Sequence, residues 1–126
     1  MKGIVVTTKC EMRVQEFSNP AYKSIGEVVE GWIEIVHPVR LKRPYCMVVN
    51  EEGLLLNLPM NVFGSYLYGT GNHGSPVAGN IVLLKRGINS DGEYDLLGLT
   101  EQDIKYLCDM ASTVSGGQIK LKQEVE

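Results

Sequence analysis

The sequence predicts an α+β fold, a mainly antiparallel sheet of about five to seven short strands with about three helices in a single compact domain. Three observations predict it. Short β-branched runs recur along the chain, separated by turn-forming residues. Apolar residues recur at helical spacing in several stretches, each behind a capping signal. The length, 126 residues, suits one core without staples. The domain is expected over residues 1–114, followed by a weakly ordered, charged C-terminal tail over 115–126.

Gly3 to Thr8 reads as the first strand, and Met12 to Phe17 as its partner after the Lys9-Cys10-Glu11 turn. Ser18-Asn19-Pro20 is a helix start, a capping side chain followed by proline at the first helical position. Tyr22, Ile25 and Val29 follow at helical spacing, Val28 widens the stripe, and Gly31 is the expected C-terminal cap. Trp32 to His37 is a third strand. With Ile33 and Ile35 on the core face, Trp32 lies on the opposite, partly exposed side. Arg40-Leu41-Lys42-Arg43-Pro44 is the basic cluster of the chain.

The middle reads as a β-hairpin. Cys46–Val49 and Leu54–Leu56 are its strands, and Asn50-Glu51-Glu52-Gly53 is its loop, with a glycine able to take positive φ. Pro59 stops the second strand, having no N–H for a ladder. Asn61 then caps a helix over Val62–Tyr68. Its Phe63 and Leu67, one turn apart, must be buried for so short a helix to form, which turns Tyr66 away from the core. Gly69 to Pro76 is a glycine-dense loop and Gly79 to Lys85 a strong strand. A turn at Asn89–Gly92 and a short strand at Tyr94–Leu97 follow. Thr100 and Asp103 form a capping box for a last helix with Ile104, Leu107, Cys108 and Ala111 as its stripe.

Composition excludes several functions. A net charge of −3 opposes general nucleic-acid binding, whose footprint is basic. The three cysteines, Cys10, Cys46 and Cys108, form no C-x-x-C, so neither a zinc site nor a redox pair is supported. Their apolar flanks suit buried, reduced thiols and a cytoplasmic protein. With no signal peptide and no apolar run long enough to span a bilayer, no membrane association is expected.

Gly69-Thr70-Gly71-Asn72-His73-Gly74 matches the dinucleotide fingerprint letter for letter. That fingerprint works between a strand and the N-terminus of a helix, where pyrophosphate meets free N–H groups. Here a helix precedes it and Pro76 and a strand follow, so the context is reversed. His73 and Ser75 lack the constrained nucleophile and oriented base of a hydrolase. Two histidines, His37 and His73, cannot make a multi-histidine metal centre. The expectation is a protein that is not an enzyme and uses no cofactor.

Several pieces together resemble domain-of-unknown-function family 3846: Val28-Val29-Glu30-Gly31-Trp32-Ile33-Glu34, Val48–Gly53, Leu58-Pro59-Met60-Asn61, Gly79–Val82 and Leu99–Ile104. The resemblance implies a small phage and mobile-element domain with no catalytic residues to carry over. In that setting it implies an accessory role in counter-defence: a sponge that sequesters a nucleotide-derived immune signal and never turns it over. Such a pocket needs a stacking aromatic, a few amide or hydroxyl contacts and a basic group for phosphate. The candidates are Trp32, Tyr66 and Tyr68 for stacking, Asn61 and Thr70 for polar contacts, Arg40 and Arg43 for phosphate, and His73 on the glycine loop. A homo-oligomer would suit this role. The alternative is a protein–protein interaction module that inhibits or modulates a host protein directly, with Trp32 as an anchor.

Overall fold

The computed structural model describes residues 1–70 and 74–121. In chain order these form β1 (Lys2–Val6), β2 (Met12–Glu16), α1 (Ala21–Val29), β3 (Ile33–Val36), β4 (Tyr45–Asn50), α2 (Val62–Tyr68), β5 (Ile81–Ile88), β6 (Tyr94–Leu97) and α3 (Glu101–Val114). All strand pairs are antiparallel, in the order β2-β1-β5-β4-β3, with β6 also on β5. Lys85 pairs with Tyr45 on one edge and Leu97 on the other. Strand β6 therefore continues the edge of β5 that β1 occupies. The class is α+β, as the sequence predicts.

The two faces of this sheet explain why β4 and the start of β5 are apolar without alternation. Tyr45, Met47 and Val49 join Leu83 in one core, closed by Phe63 and Leu67 of α2 and by Ile104, Leu107 and Ala111 of α3. Cys46, Val48, Val82 and Leu84 point the other way and meet Ile25 and Val29 of α1. A strand covered on both faces has no polar side to show. The burial of Phe63 and Leu67 is worth roughly 2 kcal/mol each, enough to hold a helix too short to persist alone.

The expected hairpin does not form. Both edges of β4 are taken, by β3 and by β5, so no edge is left for Leu54–Leu56. Those residues lie in turns closed by Leu56 N–H to Glu52 O (2.9 Å) and Leu58 N–H to Gly53 O (3.0 Å), and Leu55 is 82% exposed. Gly53 is glycine for another reason than φ: a Cβ there would lie 2.6 Å from the Ala78 carbonyl oxygen. The ends of α1 also shift. Pro20 stands at the N-cap with no side-chain cap, and Glu30, not Gly31, takes the left-handed C-cap at φ 66°. Gly31 is instead required by contact, since a Cβ would meet Asn50 Nδ2 at 2.7 Å.

Asn61 caps α2 as expected, its Oδ1 accepting from Gly64 N–H at 2.8 Å. The Thr100–Asp103 capping box forms as well. Beyond α3, where composition suggests a loose tail, Ile119 is buried and Leu121 bridges to Met12. Among the described residues no helix is long and apolar enough to cross a membrane.

Candidate functional site

The loop joining β3 to β4 carries the basic cluster, and the chain folds so that Arg40 and Lys42 rest on aromatic rings. Arg40 N–H donates to Leu67 O (3.0 Å), and its guanidinium donates to Tyr66 O, answering carbonyls at the C-terminal end of α2. The same guanidinium lies 4.6 Å from the centre of the Tyr66 ring. Lys42 Nζ lies 4.4 Å from the centre of the Tyr106 ring on α3. Tyr106 is in turn stacked on Tyr45, at 5.5 Å and 12°. Arg86, near the end of β5, lies 4.4 Å from the centre of the Tyr94 ring. Among the described residues, none of Arg40, Lys42, Arg43 and Arg86 is in a salt bridge. The result is a basic rim, unneutralised by carboxylates, on a chain of net charge −3.

A largely buried anchor, Asp103, holds the tyrosine stack beneath Lys42. Asp103 accepts from Tyr45 Oη (2.7 Å), Lys85 Nζ (2.8 Å) and the Thr100 N–H (2.8 Å) and hydroxyl (2.9 Å). Burial alone would raise its pKa, but these donors together hold the carboxyl well below the usual carboxylate range. Tyr45 is pushed up to about 12, first by burial and then by its bond to Asp103. His37 moves down, through burial and then through the charges of Arg43 and Arg86.

Along β3, on the face of Glu34 and Val36, lies a cleft of opposite character. It encloses about 360 Å³ on the α2 side of the sheet, with Glu34, Glu51 and Glu52 on its rim and Val49, Tyr68 and Val77 among its walls. The exposed Leu54 and Leu55 border it. Glu51 is placed by its N–H bond to Trp32 O (2.8 Å), and Glu52 by its N–H bond to Asn50 Oδ1 (2.7 Å).

The residues expected from the sequence to form one pocket are distributed over both regions and the interior. Arg40 and Tyr66 meet, and Arg43 is exposed on the same loop. Tyr68 is half-buried in the cleft wall. Thr70 donates to Ser75 O (3.2 Å), linking the two described ends of the glycine loop. His73 lies outside the described residues. Trp32 is 73% exposed and lines a shallow groove against Tyr22 and Glu27 of α1, at the end of β3 away from the basic rim.

Asn61 is fully buried. Besides capping α2, its Nδ2 donates to Val6 O and Gly79 O, each at 3.0 Å. Its polar atoms are thus engaged inside the protein, and it holds the cleft wall rather than facing a ligand. Sequence reasoning missed His37, Arg86, Tyr94 and Tyr106. Period-two spacing was the available signal: His37 follows Ile33 and Ile35, and Arg86 follows Val82 and Leu84. That signal becomes useful once the strand order is known. No curated protein and no solved structure matches the chain. The family model described as Domain of unknown function (DUF3846) matches residues 1–112, and the chain belongs to that family.

Proposed function

We propose that this protein acts by capture without turnover, as a phage-type counter-defence sponge for a nucleotide-derived immune signal. The observation that carries this reading is the basic rim. Three cations, Arg40, Lys42 and Arg86, each lie beside an aromatic ring, with Arg43 exposed on the same loop, and no salt bridge among the described residues neutralises them. Arginine offers a planar fork to phosphate, and an aromatic face offers a base somewhere to stack. The test is thermal unfolding with cyclic nucleotides and ADP-ribose derivatives, followed by chromatography of the ligand. A captured ligand at a hundredfold its Kd stabilises the fold by about 2.7 kcal/mol and is recovered intact. No shift with any nucleotide would overturn the proposal, and a converted ligand would overturn the absence of turnover. Sedimentation of the same preparation tests whether the working form is a homo-oligomer.

A second reading, a module that binds and inhibits a host protein, has its own support. The cleft combines three glutamates with apolar walls and exposed leucines. That chemistry opposes a phosphate and suits an apolar segment carrying basic residues. Pull-down from host lysate tests it: a stoichiometric partner lost on Leu55→Asp, with the fold intact, supports the module.

A further inference from the structure

The side chains of the α1 face form a sequence of their own along the strands. On β3, Ile33 and Ile35 pack toward α1, so His37, next in that series, extends it. On β5, Val82 and Leu84 belong to the same cluster and Arg86 is next. On β6, Leu96 packs against the cluster and Tyr94 is next in the outward direction. The registers align these ends. Val36 is opposite Met47, which sets His37 beside Cys46, and Cys46 is opposite Leu84. Arg86 N–H then donates to Pro44 O at 2.9 Å, one residue from Arg43. The registers thus bring His37, Arg43 and Arg86 to the same end of the sheet, where the apolar part of this face ends, and the charges of both arginines act on His37.

Two atoms in this group lack a partner. His37 Nδ1 and Arg86 Nε are both buried and make no hydrogen bond. A buried polar atom left unsatisfied is costly, and two such atoms at one end of the sheet invite an acceptor. No carboxylate supplies it among the described residues. Asp95, the acidic residue of β6, has the opposite parity to Tyr94 and Leu96 and is engaged by Asn89 Nδ2 at 3.5 Å. Arg43 and Arg86 are the charged groups that act on His37, and Cys46 between the strands is a thiol that burial keeps protonated.

We propose that His37, Arg43 and Arg86 form a binding site for a phosphoryl group. Two guanidinium charges exceed what one carboxylate neutralises, whereas a phosphate monoester carries close to two negative charges at neutral pH. Its oxygens can accept from Arg86 Nε, from Arg43 and from a protonated His37 Nδ1 together. The inference deepens the capture reading by naming where a nucleotide's phosphate sits, and it is tested without a nucleotide.

The experiment is a pH titration of the two imidazoles by NMR, with and without inorganic phosphate, using His73→Gln to assign His37. Bound phosphate offsets the two arginine charges and raises the His37 pKa by about one unit. By linkage, the phosphate dianion then binds about tenfold tighter to the protein with His37 protonated than with His37 neutral, once phosphate's own ionisation is taken into account. Arg86→Gln and the exposed Arg43→Gln should each diminish the shift; if the first fails to fold, the second still decides. AMP should act as phosphate does, and adenosine should leave His37 unmoved. An unchanged His37 pKa in saturating phosphate overturns the site, as does an equal shift with adenosine. Phosphate binding with no nucleotide binding would remove the capture reading and leave this site standing. A nucleotide that stabilises the fold without moving His37 would do the reverse.

Discussion

The basic rim lies past the C-terminal end of β3 and the acidic cleft lies along the Glu34 and Val36 face of that four-residue strand, yet they are built on different principles. The rim presents charge. Its cations rest on Tyr66, Tyr106 and Tyr94, and the tyrosine stack beneath Lys42 is held by the charged anchor Asp103. The cleft presents apolar wall with carboxylates at its edge, and its back, the segment from Val77 to Gly79, is held by the neutral anchor Asn61. One anchor depends on ionisation and the other does not. The two regions should therefore respond differently to mutation, to acid and to ligands.

The largest effect is expected at Asn61. Asn61→Ala removes the α2 cap and strands two buried carbonyls, Val6 O and Gly79 O. Each lost bond of this kind costs about 1–3 kcal/mol, so a total of about 4 kcal/mol is expected in urea unfolding. The loss should be equal at pH 7 and pH 4, because nothing in the Asn61 network titrates there. A cost near 1 kcal/mol would mean that the cap alone matters and that water satisfies the carbonyls.

Asp103→Asn comes next, at about 3 kcal/mol, because it leaves Lys85 without its carboxylate in a largely buried pair. Here pH separates the two anchors. The Asp103 pKa is lowered on folding, so its contribution is complete above the unfolded carboxylate value and is lost as pH falls through the folded one. Wild-type stability should fall below about pH 4, and Asp103→Asn should flatten that acid limb while Asn61→Ala keeps it. An acid limb unchanged in Asp103→Asn would move the titrating group elsewhere.

These anchors also mark what was legible in the sequence. Asn61 and the Thr100–Asp103 box were visible because a cap is local, a polar residue set just before an apolar helical stripe. The second and third bonds of Asn61 were not, since they reach β1 and the segment before β5. The misread hairpin has the same cause. Leu54–Leu56 is as apolar as a strand, but both edges of β4 were claimed by segments distant in sequence, and local pattern cannot rank such competitors. Trp32 is exposed as expected, but it precedes β3 and lies beside α1 rather than on the face opposite Ile33 and Ile35, so alternation along the strand is not what exposes it. The expected pocket failed to assemble around Trp32 and Tyr66 because the sequence holds no statement of which ends of which strands are adjacent.

Smaller effects test the surfaces themselves. Leu55→Asp, at an 82% exposed position, should leave stability within about 0.5 kcal/mol. It should remove any protein partner of the cleft and leave nucleotide binding at the rim unchanged. Loss of both activities would show that the two regions are one site, and the contrast between them would collapse.

The smallest effect on stability, and the sharpest on function, is expected at Tyr66. Its ring is 44% exposed, on the side of α2 away from Phe63 and Leu67, and it is covered on one face by Arg40. A cation–π contact at such a site is worth about 0.5–1 kcal/mol, and the bond from the Arg40 guanidinium goes to the Tyr66 main-chain carbonyl, which the substitution keeps. Tyr66→Ala should therefore lower stability by less than about 1 kcal/mol while abolishing the thermal shift produced by a captured nucleotide. Trp32→Ala, at the far end of β3, should leave that shift intact and is the matched control. If Tyr66→Ala unfolds the protein and its folded fraction still binds normally, Tyr66 is a core residue and the rim is not where a base stacks. If Trp32→Ala removes the shift and Tyr66→Ala does not, the stacking surface lies at the other end of the strand, beside α1.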